Sequence, residues 1–190
     1  MKKKLYASLM IILILFVSVL IMIIPTFFSK DISRIELHQE LNLPLLLNDE
    51  KDIKLVFFGY AGCADICTPR LQDINKFYSA LNEDTKQRVG VEFLDISIPQ
   101  DITLPESFAK FFNKEFKGIH LNKNIIRDYT KAFSVYFSQG LIDKTEFDHT
   151  TNLYLIKKSR NKKELRFIYT SYPFDFKQIK LDIEELKNEY

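Results

Sequence analysis

The stretch from Ile53 to Cys67 constrains this chain more than any other. Leu55-Val56-Phe57-Phe58-Gly59-Tyr60 is a short apolar run of the kind a strand shows when both of its faces are covered. Thr68 and Pro69 then offer an N-cap and a first-turn proline, and Leu71, Ile74, Phe77, Tyr78 and Leu81 follow at helical spacing. The segment reads as a buried strand over 53–60, a turn, and a helix. The turn carries Cys63 and Cys67, the only two cysteines of the chain. If both open the helix they lie on adjacent turns of one face, with Cα atoms ~6 Å apart. That spacing allows a disulfide or the clamping of one soft metal ion, and a helix N-terminus favours thiolates in either case.

Around this unit the pattern alternates. A second strand fits Val89 to Ile96, and a helix fits Pro105 to Phe116, with Phe108, Phe111 and Phe112 as its buried face. A brief strand fits Ile119 to Leu121, and another helix fits Asn124 to Phe137. Strands follow at Thr151 to Lys157 and Glu164 to Thr170, joined through the polar connection Ser159-Arg160-Asn161-Lys162. Asp175 to Glu189 closes the chain as an amphipathic helix with Phe176, Ile179, Ile183 and Leu186 inward. Early strands alternating with helices, then a hairpin and a final helix, predict an α/β sandwich of thioredoxin type, a central mixed sheet flanked by helices.

The N-terminus reads differently. Leu5 to Ile24 is twenty residues without a charge, the length a helix needs to cross the hydrocarbon layer. It ends without an A-x-A-like cleavage site, so it reads as an uncleaved anchor rather than a removable signal. Lys2, Lys3 and Lys4 favour keeping residues 1–4 in the cytoplasm, which puts the chain from about 30 onward across the membrane. The expected organisation is a cytoplasmic N-terminus (1–4), a transmembrane anchor (5–24), a tether (25–40), and one thioredoxin-like domain (41–190) entered through an edge strand or lead-in at Leu43 to Leu47. The expected address is a bacterial inner membrane, crossed once, with the domain in the oxidising periplasm. The net charge of +2, mostly the three N-terminal lysines, suggests no nucleic-acid partner.

The run Phe57-Phe58-Gly59-Tyr60-Ala61-Gly62-Cys63-Ala64-Asp65-Ile66-Cys67, with Asp148-His149-Thr150-Thr151-Asn152-Leu153-Tyr154-Leu155-Ile156 far downstream, resembles the Sco/SenC family of membrane-anchored copper proteins. Its hallmarks are an F-G-Y-x-x-C-P-D-x-C-P turn and a D-H-S-x-x-x-Y-L-I strand entry, and the resemblance spans about 41–190. It implies one copper ion held by Cys63, Cys67 and His149, and a role in building the dinuclear copper centre of cytochrome c oxidase. The partners so implied are the copper-receiving oxidase subunit and a thiol reductant protein. Two soft sulfurs and one imidazole suit Cu(I), and three ligands leave a direction open for transfer. Asp65 and Asp148 are expected to support these ligands, Asp65 by offsetting a bound cation and Asp148 by orienting the imidazole of His149. His38 and His120 match nothing in the family pattern.

The chain departs from the family where Ala64 and Thr68 replace the prolines after each cysteine, and where Leu94 to Thr103 replaces a V-D-P-x-R-D-T-like segment. The competing reading is an enzyme, a membrane-tethered periplasmic thiol–disulfide oxidoreductase using Cys63 and Cys67 as its catalytic redox pair. The absence of proline between Glu106 and Tyr172 argues against a general one, because thioredoxins set a proline opposite their reactive pair. A closed zinc site lacks a fourth ligand. A bare structural disulfide leaves the histidine motif without a purpose.

Overall fold

The computed structural model describes residues 2–28, 33–43, 51–97, 103–139, 147–159 and 162–189. It divides into two units, Met1–Ile32 and Ser33–Tyr190. The first is helix α1, Lys2–Phe28, which contains the whole uncharged run. Its side chains are described at Tyr6 and over 9–21, where they are exposed. Among the described residues no helix is long and apolar enough to cross a membrane.

The second unit runs β1 (Arg34–Glu40), β2 (Ile53–Gly59), α2 (Cys67–Ser79), α3 (Glu83–Arg88), β3 (Val89–Asp95), α4 (Leu104–Phe112), β4 (Lys117–His120), α5 (Ile126–Ala132), β5 (Phe137–Gln139), β6 (Phe147–His149), β7 (Leu153–Ser159), β8 (Lys162–Tyr169) and α6 (Phe176–Asn188). Six strands form one mixed sheet in the order β1-β8-β7-β2-β3-β4, and β5 pairs with β6 in a separate two-stranded ribbon. β2, β3 and β4 are parallel neighbours, while β7 runs antiparallel to β2, β8 to β7 and β1 to β8. With helices covering both faces, this is the expected thioredoxin-like architecture.

The continuous apolar run of β2 has a direct cause. Ile53, Leu55 and Phe57 join one core with Leu71 and Ile74 of α2 and Ile179 and Ile183 of α6. Val56 and Phe58 point the other way, into a second core with Tyr129 and Phe133 beside α5. Every β2 residue is buried, and each large apolar side chain so covered contributes roughly 1.5–3 kcal/mol. β2 is thereby the fixed centre of the fold, and the cysteines leave from its C-terminal end.

Three expectations are corrected, and a fourth falls almost wholly outside the described residues. The folded unit begins at Ser33, and Arg34–Glu40 is an edge strand on β8 where a tether was expected. The lead-in at Leu43 to Leu47 lies outside the described residues except for Leu43, which is buried. The helix expected to reach Phe137 stops at Ala132, because Ser134 takes φ 52° and Phe137 enters β5. Phe111 is 80% exposed rather than core, since α4 ends at Phe112 and only Phe108 and Phe112 pack against the buried cluster.

Candidate metal centre

Gly59 ends β2, and the chain turns through Tyr60 to Ile66 before α2 begins at Cys67. The turn closes with the Cys63 amide donating to the Tyr60 carbonyl at 3.2 Å. Gly62, at φ +92°, supplies the left-handed residue it needs. Cys63 therefore precedes the helix instead of opening it, and Thr68 does not serve as the N-cap; Ile66 stands in that position without a side-chain cap. The Thr68 hydroxyl and amide both donate to the Cys63 carbonyl, at 2.8 and 3.2 Å. The sulfur of Cys63 does the capping, accepting the Cys67 amide at 3.3 Å.

Both thiols are buried and unbridged, Cys67 completely. Its sulfur lies so close to the β2 backbone that a Cβ on Gly59 would stand 2.6 Å from it and 2.9 Å from Cε2 of Phe93. The two sulfurs differ in acidity. A hydrogen bond from the Cys67 thiol holds Cys63 down to about 3, against the cost of burial and aided by His149 and by the amides of Cys67 and Ile66. Donating that same bond, together with burial, pushes Cys67 well above the ordinary thiol range. The pair is a thiolate beside a thiol: Cys63 is ready as ligand or nucleophile, and Cys67 yields its proton only to a competing electrophile.

His149 arrives from β6, 82 positions beyond Cys67, and its Nε2 lies 3.8 Å from the Cys67 sulfur. The ribbon places it: Phe137 pairs with His149, and Tyr136 and Thr150 exchange hydrogen bonds at the ribbon's end. Its Nδ1 faces the Thr150 carbonyl at 3.0 Å. A carbonyl can only accept, so Nδ1 carries a proton, and Nε2 is the ring nitrogen that faces the sulfurs. This orienting role was expected of Asp148, which is instead exposed on β6. Asp65 is likewise exposed in the cysteine turn.

Sequence reasoning missed Asp95. It ends β3, is fully buried, and accepts from the Ala61 amide at 3.0 Å and from the Ser97 hydroxyl. It also pairs with Nδ1 of His120 at 2.8 Å. The parallel register that sets Gly59 opposite Asp95 and Asp95 opposite His120 brings the cysteine turn and this carboxylate together. An acid at the end of a buried apolar strand was the available signal.

Among the described residues no group of three or more His, Cys, Asp and Glu side chains is arranged as a ready-made metal site. The 3.8 Å between the Cys67 sulfur and Nε2 nevertheless suits two donors on one ion. With bonds of roughly 2.3 Å to sulfur and 2.0–2.1 Å to imidazole nitrogen, as for zinc, donors at trigonal or tetrahedral angles stand about 3.6–3.8 Å apart. Hydrogen bonds join Cys63 to both Cys67 and His149, so the third donor belongs to the same cluster.

Fold and site together define a thioredoxin-like domain with paired thiols at a strand-to-helix turn and a histidine brought in from a distant ribbon. The SCO1/SenC family profile matches residues 50–175, and the chain belongs to that family. A SCO2-like protein of Rickettsia conorii is 27% identical over 132 residues, covering 65% of this chain and 63% of its own. The match thus spans somewhat under two thirds of that relative's length. Apo Sco1 from Thermus thermophilus superposes with a TM-score of 0.63 at 21% identity, covering 83% of this chain and 95% of its own. Copper-bound ScoI from Bradyrhizobium japonicum does so at 0.57 and 22% identity, covering 71% and 85%.

Proposed function

We propose that this chain is a membrane-tethered copper carrier in which Cys63, Cys67 and His149 take one copper ion as cargo. The observation that carries this reading is the approach of Nε2 to the Cys67 sulfur at 3.8 Å, while Nδ1 is committed to the Thr150 carbonyl. Cys63 offers a thiolate at once, and Cys67 becomes the second when the ion displaces its proton. Soft sulfurs with one imidazole favour Cu(I), and three donors leave a face through which an acceptor can draw the ion away. Copper-bound relatives and the Sco family's description as cytochrome c oxidase assembly proteins support the copper-receiving oxidase subunit as recipient, with its dinuclear copper centre as destination.

Before loading, a thiol reductant protein keeps the pair reduced, because an oxidising compartment otherwise closes it as a disulfide. The case for an anchor in a bacterial inner membrane, with the domain in the periplasm, rests on the sequence, in the twenty uncharged residues from Leu5 to Ile24 and the three lysines before them. One observation favours a second reading, a thiol–disulfide oxidoreductase acting on a partner's cysteines: the thiolate–thiol asymmetry is also what such an exchange uses.

Anaerobic Cu(I) titration of the detergent-solubilised chain tests the first reading. One ion per chain is expected, with affinity about 10–100-fold lower in His149→Ala. Equal stoichiometry and affinity in both removes the histidine from the site. Rapid reduction of an oxidised dithiol peptide by the metal-free protein, unaffected by His149→Ala, favours the oxidoreductase.

A further inference from the structure

Tyr60 meets each of the three donors with a different part of itself. Its carbonyl accepts the Cys63 amide at 3.2 Å, and its backbone hydrogen-bonds the Cys67 sulfur. Its ring stands edge-to-face against the His149 imidazole, with centroids 6.2 Å apart and planes at 83°. The residue itself is firmly rooted. Gly59 before it is paired to β3, Ala61 after it is held by Asp95, and its side chain packs against the main buried cluster.

His149 lacks such a base. Its strand has three residues, and apart from the sulfurs that face Nε2 its ring is held by the Thr150 carbonyl at Nδ1. Contacts at the two ring nitrogens, Nδ1 on the Thr150 carbonyl and Nε2 on the sulfurs, define an axis but leave the ring plane free to rotate about it. A contact off that axis removes the rotation, and the Tyr60 ring supplies it. We propose that Tyr60 is a positioning residue whose ring braces the His149 imidazole, holding Nε2 toward Cys67. The consequence for copper rests on the function proposed above; the brace itself is a property of the metal-free protein.

The experiment compares Tyr60→Phe, which keeps the ring, with Tyr60→Leu, which keeps only apolar bulk, in the full-length chain in detergent. With three histidines in the sequence, imidazole NMR resonances are few enough to follow singly. In the metal-free protein, Tyr60→Leu is expected to move the His149 ring signals toward free-imidazole positions and leave His38 and His120 in place. Tyr60→Phe is expected to match the wild type. Unchanged His149 signals in Tyr60→Leu overturn the proposal, as does a shift equally large in Tyr60→Phe.

In Cu(I) competition the expected loss is about tenfold for Tyr60→Leu and under twofold for Tyr60→Phe, with no further loss when Tyr60→Leu is added to His149→Ala. A tenfold loss that persists without His149 overturns positioning through that residue. Failure of the wild type to bind Cu(I) defeats the copper reading alone, and the metal-free spectra still decide the brace.

Discussion

The two halves of the candidate site are built to different standards. The cysteine turn grows from a strand buried on both faces, is held from below by Asp95, and sets one sulfur flush against the Gly59 backbone. The histidine arm is a ribbon of two three-residue strands outside the main sheet, carrying a partly exposed ring on one carbonyl and one aromatic edge. A stiff half that fixes the sulfur chemistry, facing a lightly held half that carries the histidine, suits the capture and release proposed above. Metal affinity and fold stability are accordingly expected to separate along this line.

The largest expected effect concerns the stiff half's charge. The Cys67 thiol holds Cys63 well below the ordinary thiol range, so an ultraviolet thiolate band is expected to persist between about pH 5 and 8, where an ordinary thiol near 8.5 is mostly protonated. Cys63→Ser should abolish it; a band that titrates near 8.5 breaks the thiolate–thiol assignment. The sign for stability follows. A lowered thiol favours the folded state fully above the unfolded value, and this contribution drains away as pH falls toward 3. The raised Cys67 acts in the opposite sense at high pH.

Gly59→Val comes next, because its side chain must displace the Cys67 sulfur or the Phe93 ring. About 1–3 kcal/mol of destabilisation in chemical denaturation is expected, with Cu(I) affinity lost alongside. Asp95→Ala strips the acceptor from the Ala61 amide and from His120, and should cost about 1–3 kcal/mol in the same measurement. Smallest is Thr150→Val in the arm, which removes the hydroxyl that accepts the Tyr136 amide and should cost about 0.5–1 kcal/mol. If Thr150→Val destabilises the chain as much as Asp95→Ala, the contrast between stiff and lightly held halves is wrong.

What could be read in advance followed the same division. β2, α2 and α6 were legible because both-sided burial writes a continuous apolar run and one-sided burial writes a 3.6-residue stripe. β1 was not, since Arg34-Ile35-Glu36-Leu37-His38-Gln39-Glu40 is an exposed edge whose polar composition reads as a tether. The end of α5 at Ala132 was hidden because a serine, rather than a glycine or proline, takes the left-handed conformation that stops it. Phe111 shares helical spacing with Phe108, yet a helix only nine residues long packs too narrow a face to cover it. The grouping of Cys63, Cys67 and His149 was legible as a family pattern, and the structure brings the three side chains together. Asp95 and its bond to His120 depended on parallel register, which no local sequence reports.

The ribbon's pairing of Phe137 with His149 has one more implication. Successive side chains of a strand point to opposite sides, so a slip of a single residue would turn the imidazole away from both sulfurs rather than shift it slightly. Register therefore decides in whole steps which side of the ribbon the imidazole faces, and contacts on the ring set only its orientation on that side.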